Sequence, residues 1–296
     1  MIVAPVRAVI GAPVTLTFTS VDSDGEPSDV DPGVVTVGVE KADGTVLVAA
    51  GTATTGSGAT RSYTLPATSE LDRLTVTWTA SAVAIGTTTV DVVGGVFATL
   101  AEIRAIAPTL GDTSTDTDVA LLRVRAEVEA MIDRAAGGAL SFVPRFATAT
   151  MWHGGQKMLQ LPHYFLRRIR WARYWYDTAD PTDVESSLLT GIQPNDAGLA
   201  LLYDASEAWP TGRVVVGYEH GLDAPPLDVK RQAVAAIRRG VSQSRSAVDS
   251  RAMSYTSPTG ETQRFPTPGL GPWVTGVPEI DEVLRWYADH YPVMSV

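Results

Sequence analysis

Residues that could do acid–base, nucleophilic or metal chemistry are few and scattered in this sequence. The four histidines are His153, His163, His220 and His290. No two of them have the spacing of metal ligands, and neither HxxE nor HExxH occurs. His153 begins an HGG triplet, as in the oxyanion loop of some esterases, but the G-x-S-x-G elbow that this chemistry needs is absent. We therefore expect a turn there and predict a non-enzymatic protein with no catalytic residues, metal site or cofactor.

Two further polar groups have ordinary structural explanations. His220 follows Glu219 at the end of a strand-like run, which favours a structural histidine in a tight turn. A subunit contact tuned by protonation is the alternative. The acidic run Asp177, Asp180 and Asp183 lacks the glycine and the terminal glutamate of a calcium loop, so we expect a solvated loop.

Arginines and aromatic side chains are interleaved between residues 164 and 175. Simple alternation on a strand would place Arg168 and Arg170 on one face, and Arg167, Ile169 and Trp171 on the other. Arginine and tryptophan are enriched at the centres of protein interfaces. We therefore predict that Arg168, Arg170 and Trp171 contact a protein partner. A solvated sheet face and a single-stranded nucleic-acid contact are the alternatives.

A second candidate surface lies in residues 242–276, which are rich in Ser, Thr, Pro and Gly. This composition is typical of an extended, mobile arm. Tyr255, Phe265 and Trp273 are spaced along it like anchors. Such a segment can bind by ordering against a partner, and plain disorder is the alternative.

The chain returns to a helical pattern at residues 278–290, with Pro278 in the first turn. Ile280, Leu284 and Tyr287 recur on one face of this helix. We expect that face to need an apolar partner, and we assign it to partner binding together with the arm.

The elements that position these residues change character along the chain. Residues 1–95 alternate apolar and polar side chains in short runs that are separated by Asp-Gly and Gly-Ser-Gly turns. This pattern predicts an antiparallel β-sandwich, Ig-like in its most common version, with Trp78 in its core. Gly94-Gly95 marks a boundary, after which Thr99 to Glu102 form a capping box.

Three more segments complete the pattern. Residues 118–136 and 227–241 have helical spacing of their apolar residues, and residues 139–218 consist mainly of strands. The N-terminal run is interrupted by prolines and an arginine and is interpreted as strand rather than signal peptide.

Composition restricts the function classes. The net charge is −10 and cysteine is absent. An acidic chain is a poor candidate for tight duplex binding, which depends on neutralising phosphates. It suits a surface that DNA must pass without sticking. The lack of cysteine excludes a disulfide framework and fits a reducing cytoplasm. No stretch is apolar for long enough to predict a membrane span.

The residues from about 97 to the C-terminus resemble the head–tail connector (adaptor) proteins of long-tailed bacteriophages. The resemblance rests on motifs in a fixed order: TLAEIRAIAP, DVALLRVRAEVEAMIDRAAGG, FVPRF, YEHGLDAPPLDVKRQAVAAIRRG and TGVPEIDEVLRWY. It covers about two-thirds of the chain and leaves out the N-terminal sandwich.

The residue pattern and the resemblance together imply a fold, and the resemblance also implies an assembly and a location. The expected fold is an α+β multidomain chain. Its parts are the Ig-like sandwich over 1–95, a small helical bundle with a β-hairpin or small sheet over 96–241, and an arm with a C-terminal helix over 242–296. The expected assembly is a homo-oligomeric ring, a dodecamer in the family pattern, between the portal protein and a tail-side neck protein (stopper or tail terminator). DNA would pass through transiently and non-specifically in the virion neck, and the protein would be made in the host cytoplasm. A β-sandwich binding module of a phage tail or cell surface is the alternative function.

Overall fold

The computed structural model describes residues 6–21, 33–111, 117–136, 138–175, 180–202, 208–243, 254–256, 262–264, 275 and 277–291. The chain separates into two compact units. The first, here the sheet unit, contains Met1–Gly95, Pro144–Leu161 and Leu166–His220. The second, the helical unit, contains Val96–Val143, Pro162–Phe165 and Gly221–Val296.

Sixteen strands and five α-helices form within those described residues, which confirms the mixed α+β class. The strands are β1 (Val6–Val9), β2 (Val14–Thr19), β3 (Val35–Glu40), β4 (Val46–Ala53), β5 (Thr60–Leu65), β6 (Asp72–Ala80), β7 (Val83–Val93), β8 (Arg145–Gly154), β9 (Met158–Gln160), β10 (Leu166–Trp175), β11 (Thr182–Asp183), β12 (Ile192–Pro194), β13 (Leu199–Leu202), β14 (Thr211–His220), β15 (Ser254–Thr256) and β16 (Thr262–Arg264). The helices are α1 (Leu100–Ile106), α2 (Asp118–Ala135), α3 (Ser186–Thr190), α4 (Leu227–Gln243) and α5 (Pro278–His290). No described helix is both long and apolar enough to cross a membrane.

The N-terminal strands of the sheet unit pack two sheets onto one core. A five-stranded sheet has the order β1-β7-β6-β3-β4, and β2 pairs with β5 in a second sheet. Residues of both sheets fill a common core around the fully buried Trp78. Its ring stacks on Phe18 at 5.5 Å between centroids, and its Nε1 donates to Thr88 Oγ1 at 3.0 Å. Trp78 as the core aromatic is confirmed, whereas the Ig-like version of the sandwich stays a prediction.

The remaining strands of this unit form a four-stranded sheet, β11-β10-β14-β8, and a three-stranded sheet, β12-β13-β9. The inner face of the four-stranded sheet carries Ile169, Val214, Val216 and Tyr218 into a second core. The resemblance implied a β-hairpin or a small sheet here, and the structure has two small sheets. They belong to the same compact unit as the N-terminal strands, whose segment ends at Gly95. The predicted division into domains at residue 95 stays a prediction.

The helical unit is built from local signals that the sequence displays. Thr99 Oγ1 accepts from Glu102 N at 3.2 Å, and Thr99 N donates to Glu102 Oε2 at 2.8 Å. This capping box begins α1 where it was predicted. Pro108 follows the end of α1, and α5 has the predicted bounds. Helix α4 extends two residues beyond its predicted end at residue 241.

Close contacts hold the parts of this unit together. Lys230 Nζ in α4 donates to Glu102 Oε1 in α1 at 2.7 Å. Glu129 in α2 is buried and accepts from the backbone N–H of Phe97 at 2.8 Å. A side chain on Gly240 would meet Val124, so glycine lets α4 approach α2 closely.

Candidate functional site

The arginine-rich strand β10 holds a network of charges on the outer face of the four-stranded sheet, the face turned away from its core. Arg168 donates to Glu219 Oε1 at 2.7 Å. Arg170 donates to the same oxygen at 3.3 Å and to Glu70 Oε2 at 2.7 Å. The side chains of Arg170 and Glu219 are only 16% and 8% exposed. Buried charges need such partners, because an unpaired one is costly.

Glu70 belongs to the segment that leads into β6 and includes its first residue, Asp72; we call this segment the acidic loop (residues 70–72). Arg170 also donates to the carbonyl of Leu71 at 2.9 Å. Its positive charge lowers the pKa of Glu70, and Lys41 adds to this effect at 3.3 Å. Burial raises the pKa of Asp72, although the backbone N–H groups of Ala42 and Arg73 oppose that shift.

Two irregularities in β10 set which side chains share a face. The pairing with β14 shifts register between Leu166 and Arg168 and again between Ile169 and Trp171. Ile169 therefore lies in the inner core, whereas Trp171 pairs with Gly217 and lies against it on the outer face. The prediction that Ile169 and Trp171 share a face is wrong, because a β-bulge breaks the two-residue alternation.

The outer face continues beyond the charge network. Trp171 fills the space above Gly217 that any side chain there would occupy. The guanidinium of Arg173 lies 5.3 Å from the centroid of the Trp171 ring. Arg173 also donates to Asp183 Oδ1 at 2.9 Å and to the carbonyl of Asp43 at 3.2 Å. Arginine, tryptophan and carboxylate thus form one connected surface.

The three β10 residues assigned to partner binding therefore lie together on one face. Arg168 and Arg170 have intramolecular carboxylate partners, and Trp171 packs on the sheet. A role for them in binding another protein stays a prediction.

The apolar face of α5 has its partner within the helical unit. Ile280, Leu284 and Tyr287 are all buried. The ring of Tyr287 meets Phe142 edge-to-face at 5.1 Å, and its hydroxyl donates to Asp228 Oδ1 in α4 at 3.4 Å. The expected apolar partner of this face is the rest of the helical unit, which covers it. Docking by these residues remains a prediction.

The arm is described only in part. The strands β15 and β16 pair antiparallel, with Tyr255 opposite Gln263. Phe265 and Trp273 lie outside the described residues. The described portion of the arm therefore contains a short hairpin, which the composition did not predict. The anchor roles of Tyr255, Phe265 and Trp273 stay predictions.

The histidines and aspartates that were considered for catalysis or metal binding lie in strands, loops and one helix where the structure describes them. His153 is the penultimate residue of β8, and its Nδ1 accepts from Gly155 N at 3.2 Å across the turn. His220 is buried at the end of β14. Asp183 pairs with Arg173, and Asp177 lies outside the described residues. Within the part of the chain that the structure describes, no three His, Asp or Glu side chains are grouped to hold a metal ion.

Sequence reasoning missed two features of the outer face. Glu70 is about a hundred residues away from Arg170, so no local pattern connects them. Trp152 in β8 pairs with Arg213 in β14, and Arg213 pairs with Trp175 in β10. Residues 148, 150 and 152 alternate with apolar neighbours, and this pattern could have placed Trp152 on the outer face. No signal in the residue pattern indicated which strands pair with β8.

Comparisons with known proteins give limited information. No family model matches this chain, and no curated protein matches it. One solved structure, described as the neck of an empty GTA particle computed with C6 symmetry, is similar at 21% identity and a TM-score of 0.33. That match covers 48% of this chain and 73% of the other.

A second solved structure is the SGBP-B protein of a Bacteroides ovatus mixed-linkage glucan utilization locus, in complex with a mixed-linkage heptasaccharide. It is similar at 11% identity and a TM-score of 0.17, covering 72% of this chain and 49% of the other. TM-scores this low do not establish a shared fold, so neither match identifies the chain.

Proposed function

We propose that this chain is a structural, non-enzymatic protein of the neck of a long-tailed phage or phage-like particle. It assembles as a homo-oligomeric ring between the portal protein and a tail-side neck protein, a stopper or a tail terminator. DNA passes through the ring without being read or held. The protein is made in the host bacterial cytoplasm and functions in the virion.

One observation carries the proposal. The helical motifs that resemble head–tail connectors lie at four separate places in the sequence, and they converge in one compact unit. α1 and α4 are joined by Glu102 and Lys230, and α4 and α5 by Asp228 and Tyr287. Motifs that are far apart in the sequence support the resemblance more strongly when they pack together in one unit. The similarity to a GTA particle neck has a TM-score of 0.33, which is too low to support the proposal.

Within this function the parts of the chain have different tasks. The helices of the helical unit supply contacts between copies. The arm docks on the portal through Tyr255, Phe265 and Trp273, with Ile280, Leu284 and Tyr287 fixing its C-terminal helix. A ring of such arms needs only modest affinity per copy, because linked weak contacts reinforce one another. Arg168, Arg170 and Trp171 form a second candidate surface for a protein partner, on the four-stranded sheet.

The deciding experiment locates the protein in the particle. Cryo-electron microscopy of particles that carry a tagged copy should show a closed ring at the neck, and its symmetry gives the copy number. Density elsewhere in the particle would refute the proposal. A monomer that binds glycan or cell wall would favour the tail or surface binding module instead.

Portal docking has its own test. In co-sedimentation with the portal, Phe265→Ala and Trp273→Ala should each weaken docking by about 2 kcal/mol if these rings are hot spots. Val83→Ala is the control, because Val83 is an exposed apolar residue on the N-terminal sandwich. Unchanged docking by both arm variants would show that the docking surface is outside the arm.

A further inference from the structure

The outer face of the sheet formed by β10, β14 and β8 has two ends with the same chemistry and different surroundings. At the closed end, Arg170 lies over the Phe146 ring, 5.8 Å from its centroid. The acidic loop of the same chain covers this end, with Glu70 and the Leu71 carbonyl bound to that guanidinium. The closed end shows what this face accepts: a carboxylate that meets an arginine held against an aromatic ring.

The open end repeats the arginine that is held over an aromatic ring. Arg213 lies over the Trp175 ring, 5.1 Å from its centroid. Trp152 is directly opposite Arg213 in the strand register and is 82% exposed. Among the residues that the structure describes, no carboxylate pairs with Arg213. A row of tryptophan, arginine and tryptophan therefore crosses three strands at this end of the sheet.

We infer that the open end is a contact site for an acidic segment of a second copy of this chain. The inference rests on the proposed function, since it assigns one contact of the proposed ring. Charge complementarity favours a second copy: the chain has a net charge of −10, whereas this row presents a cation that has no carboxylate partner among the described residues. Aromatic rings that flank an arginine are typical of interface hot spots, where burial strengthens the ion pair.

The same charges determine the geometry of the contact. Two open ends placed face to face would bring Arg213 against Arg213, and like charges at an interface are costly. The row therefore meets a different surface of the next copy. A contact between two different patches is heterologous, and it forms a ring when the rotation between copies closes.

Sedimentation velocity of the full-length chain over a concentration series tests the contact. The wild type should self-associate, and it should do so less at high salt because the ion pair is screened. Arg213→Glu and Trp152→Ala should each weaken association about ten-fold or more. A photo-crosslinking amino acid at the exposed Thr150, beside this row, should join the row to an acidic peptide of a second copy.

Two control variants make similar substitutions at other exposed sites, so that an effect of the row can be separated from an effect of the substitution itself. Arg123→Glu makes the same charge change at a side chain that is 80% exposed on α2. Val83→Ala removes an exposed apolar side chain from the sandwich. Both should stay within about two-fold of wild type, as surface residues outside hot spots do.

Several results would overturn the inference. They are a wild type that stays monomeric at all concentrations, an equal loss with the control variants, and a crosslink from one open end to another. Binding of a fluorescent oligothymidine that Arg213→Glu abolishes would assign the row to single-stranded nucleic acid instead. None of these results decides whether the protein lies in the neck, because electron microscopy of the particle tests that location separately.

Discussion

At the scale of single residues, Arg170 is the centre of the charge network in the sheet unit. It joins the buried carboxylate of Glu219 to Glu70 and to the Leu71 carbonyl. Removing it leaves Glu219 with Arg168 alone and leaves a carbonyl without its donor. The network therefore stabilises the position of the acidic loop on β10, beyond any partner that this surface binds.

Arg170→Ala should lower the free energy of unfolding of the sheet unit by about 2–3 kcal/mol, because it weakens the pairing of a buried charge. Glu70→Gln should cost less, since the Glu70 side chain is 44% exposed. Chemical denaturation of both single variants and the double variant gives the coupling energy. Additive effects would show that the Arg170–Glu70 pair does not stabilise the fold.

Trp78 and Trp152 provide a matched comparison of burial. Trp78→Ala should cost about 3–5 kcal/mol, because it opens a cavity in the sandwich core and leaves Thr88 without its donor. Trp152→Ala should change stability by about 0.5 kcal/mol or less, because that ring is exposed. Urea denaturation followed by circular dichroism compares the two. Equal losses would contradict the placement of Trp78 in the core.

Glu102 links residue chemistry to pH. Its hydrogen bond with Lys230, followed by the one from the Thr99 backbone N–H, lowers the pKa of Glu102 from its ordinary value of 4.5 to about 2. A carboxyl whose folded pKa is depressed stabilises the fold above its unfolded pKa, and that contribution is lost as the pH falls toward the folded value. The helical unit should therefore lose stability between about pH 4.5 and pH 2.

Glu102→Gln should flatten this acid dependence of Tm, because glutamine keeps the capping box but loses the charge pairing with Lys230. Glu127→Gln is the control, since Glu127 is exposed on α2 and pairs with the exposed Arg123. Tm measured across this pH window for the three proteins decides the point. Parallel curves of Tm against pH for wild type and Glu102→Gln would show that Glu102 does not cause the acid dependence.

At the scale of elements, α5 is a structural part of the helical unit. Leu284 is buried, and α5 contributes Tyr287 to an aromatic contact with Phe142. Leu284→Ala should cost about 2–5 kcal/mol in the free energy of unfolding of this unit. Arg285→Ala, exposed one residue along, should be nearly neutral. If Leu284→Ala were also neutral in denaturation, α5 would not be packed as described.

The elements that sequence predicted well are those that local signals define. The capping box at Thr99, the apolar spacing in α2 and the proline that begins α5 each act within a few residues, so helix positions were predictable. Sheet partners were not, because β10 pairs with β14 and contacts the acidic loop across long separations. The bulge that moves Trp171 to the outer face leaves no mark in the residue pattern.

The candidate site was predicted in part for the same reason. Composition drew attention to Arg168, Arg170 and Trp171, since arginine and tryptophan in one strand are unusual. It did not reveal that Glu219 and Glu70 neutralise the two arginines, because both carboxylates come from distant segments. The row of Trp152, Arg213 and Trp175 exists only once three strands are aligned.

At the scale of the whole molecule, charge constrains what the chain can do with DNA. The net charge is −10, and several of its arginines are already paired with carboxylates. Non-specific duplex binding depends on lysine and arginine that neutralise phosphates and release counterions. A neck protein benefits from the opposite property, because DNA must move past it quickly in both packaging and ejection.

The full-length chain should therefore bind duplex DNA more weakly than about 10⁻⁴ M at physiological salt, the weak end of ordinary non-specific binding. Fluorescence anisotropy with a labelled duplex measures this, and lowering the salt should produce little gain because few phosphates are contacted. Arg213→Glu should leave the result unchanged, since its proposed partner is a carboxylate of a second copy. Tight binding that weakens steeply with salt would mean that a basic surface faces DNA, and the proposed passive channel would then be wrong.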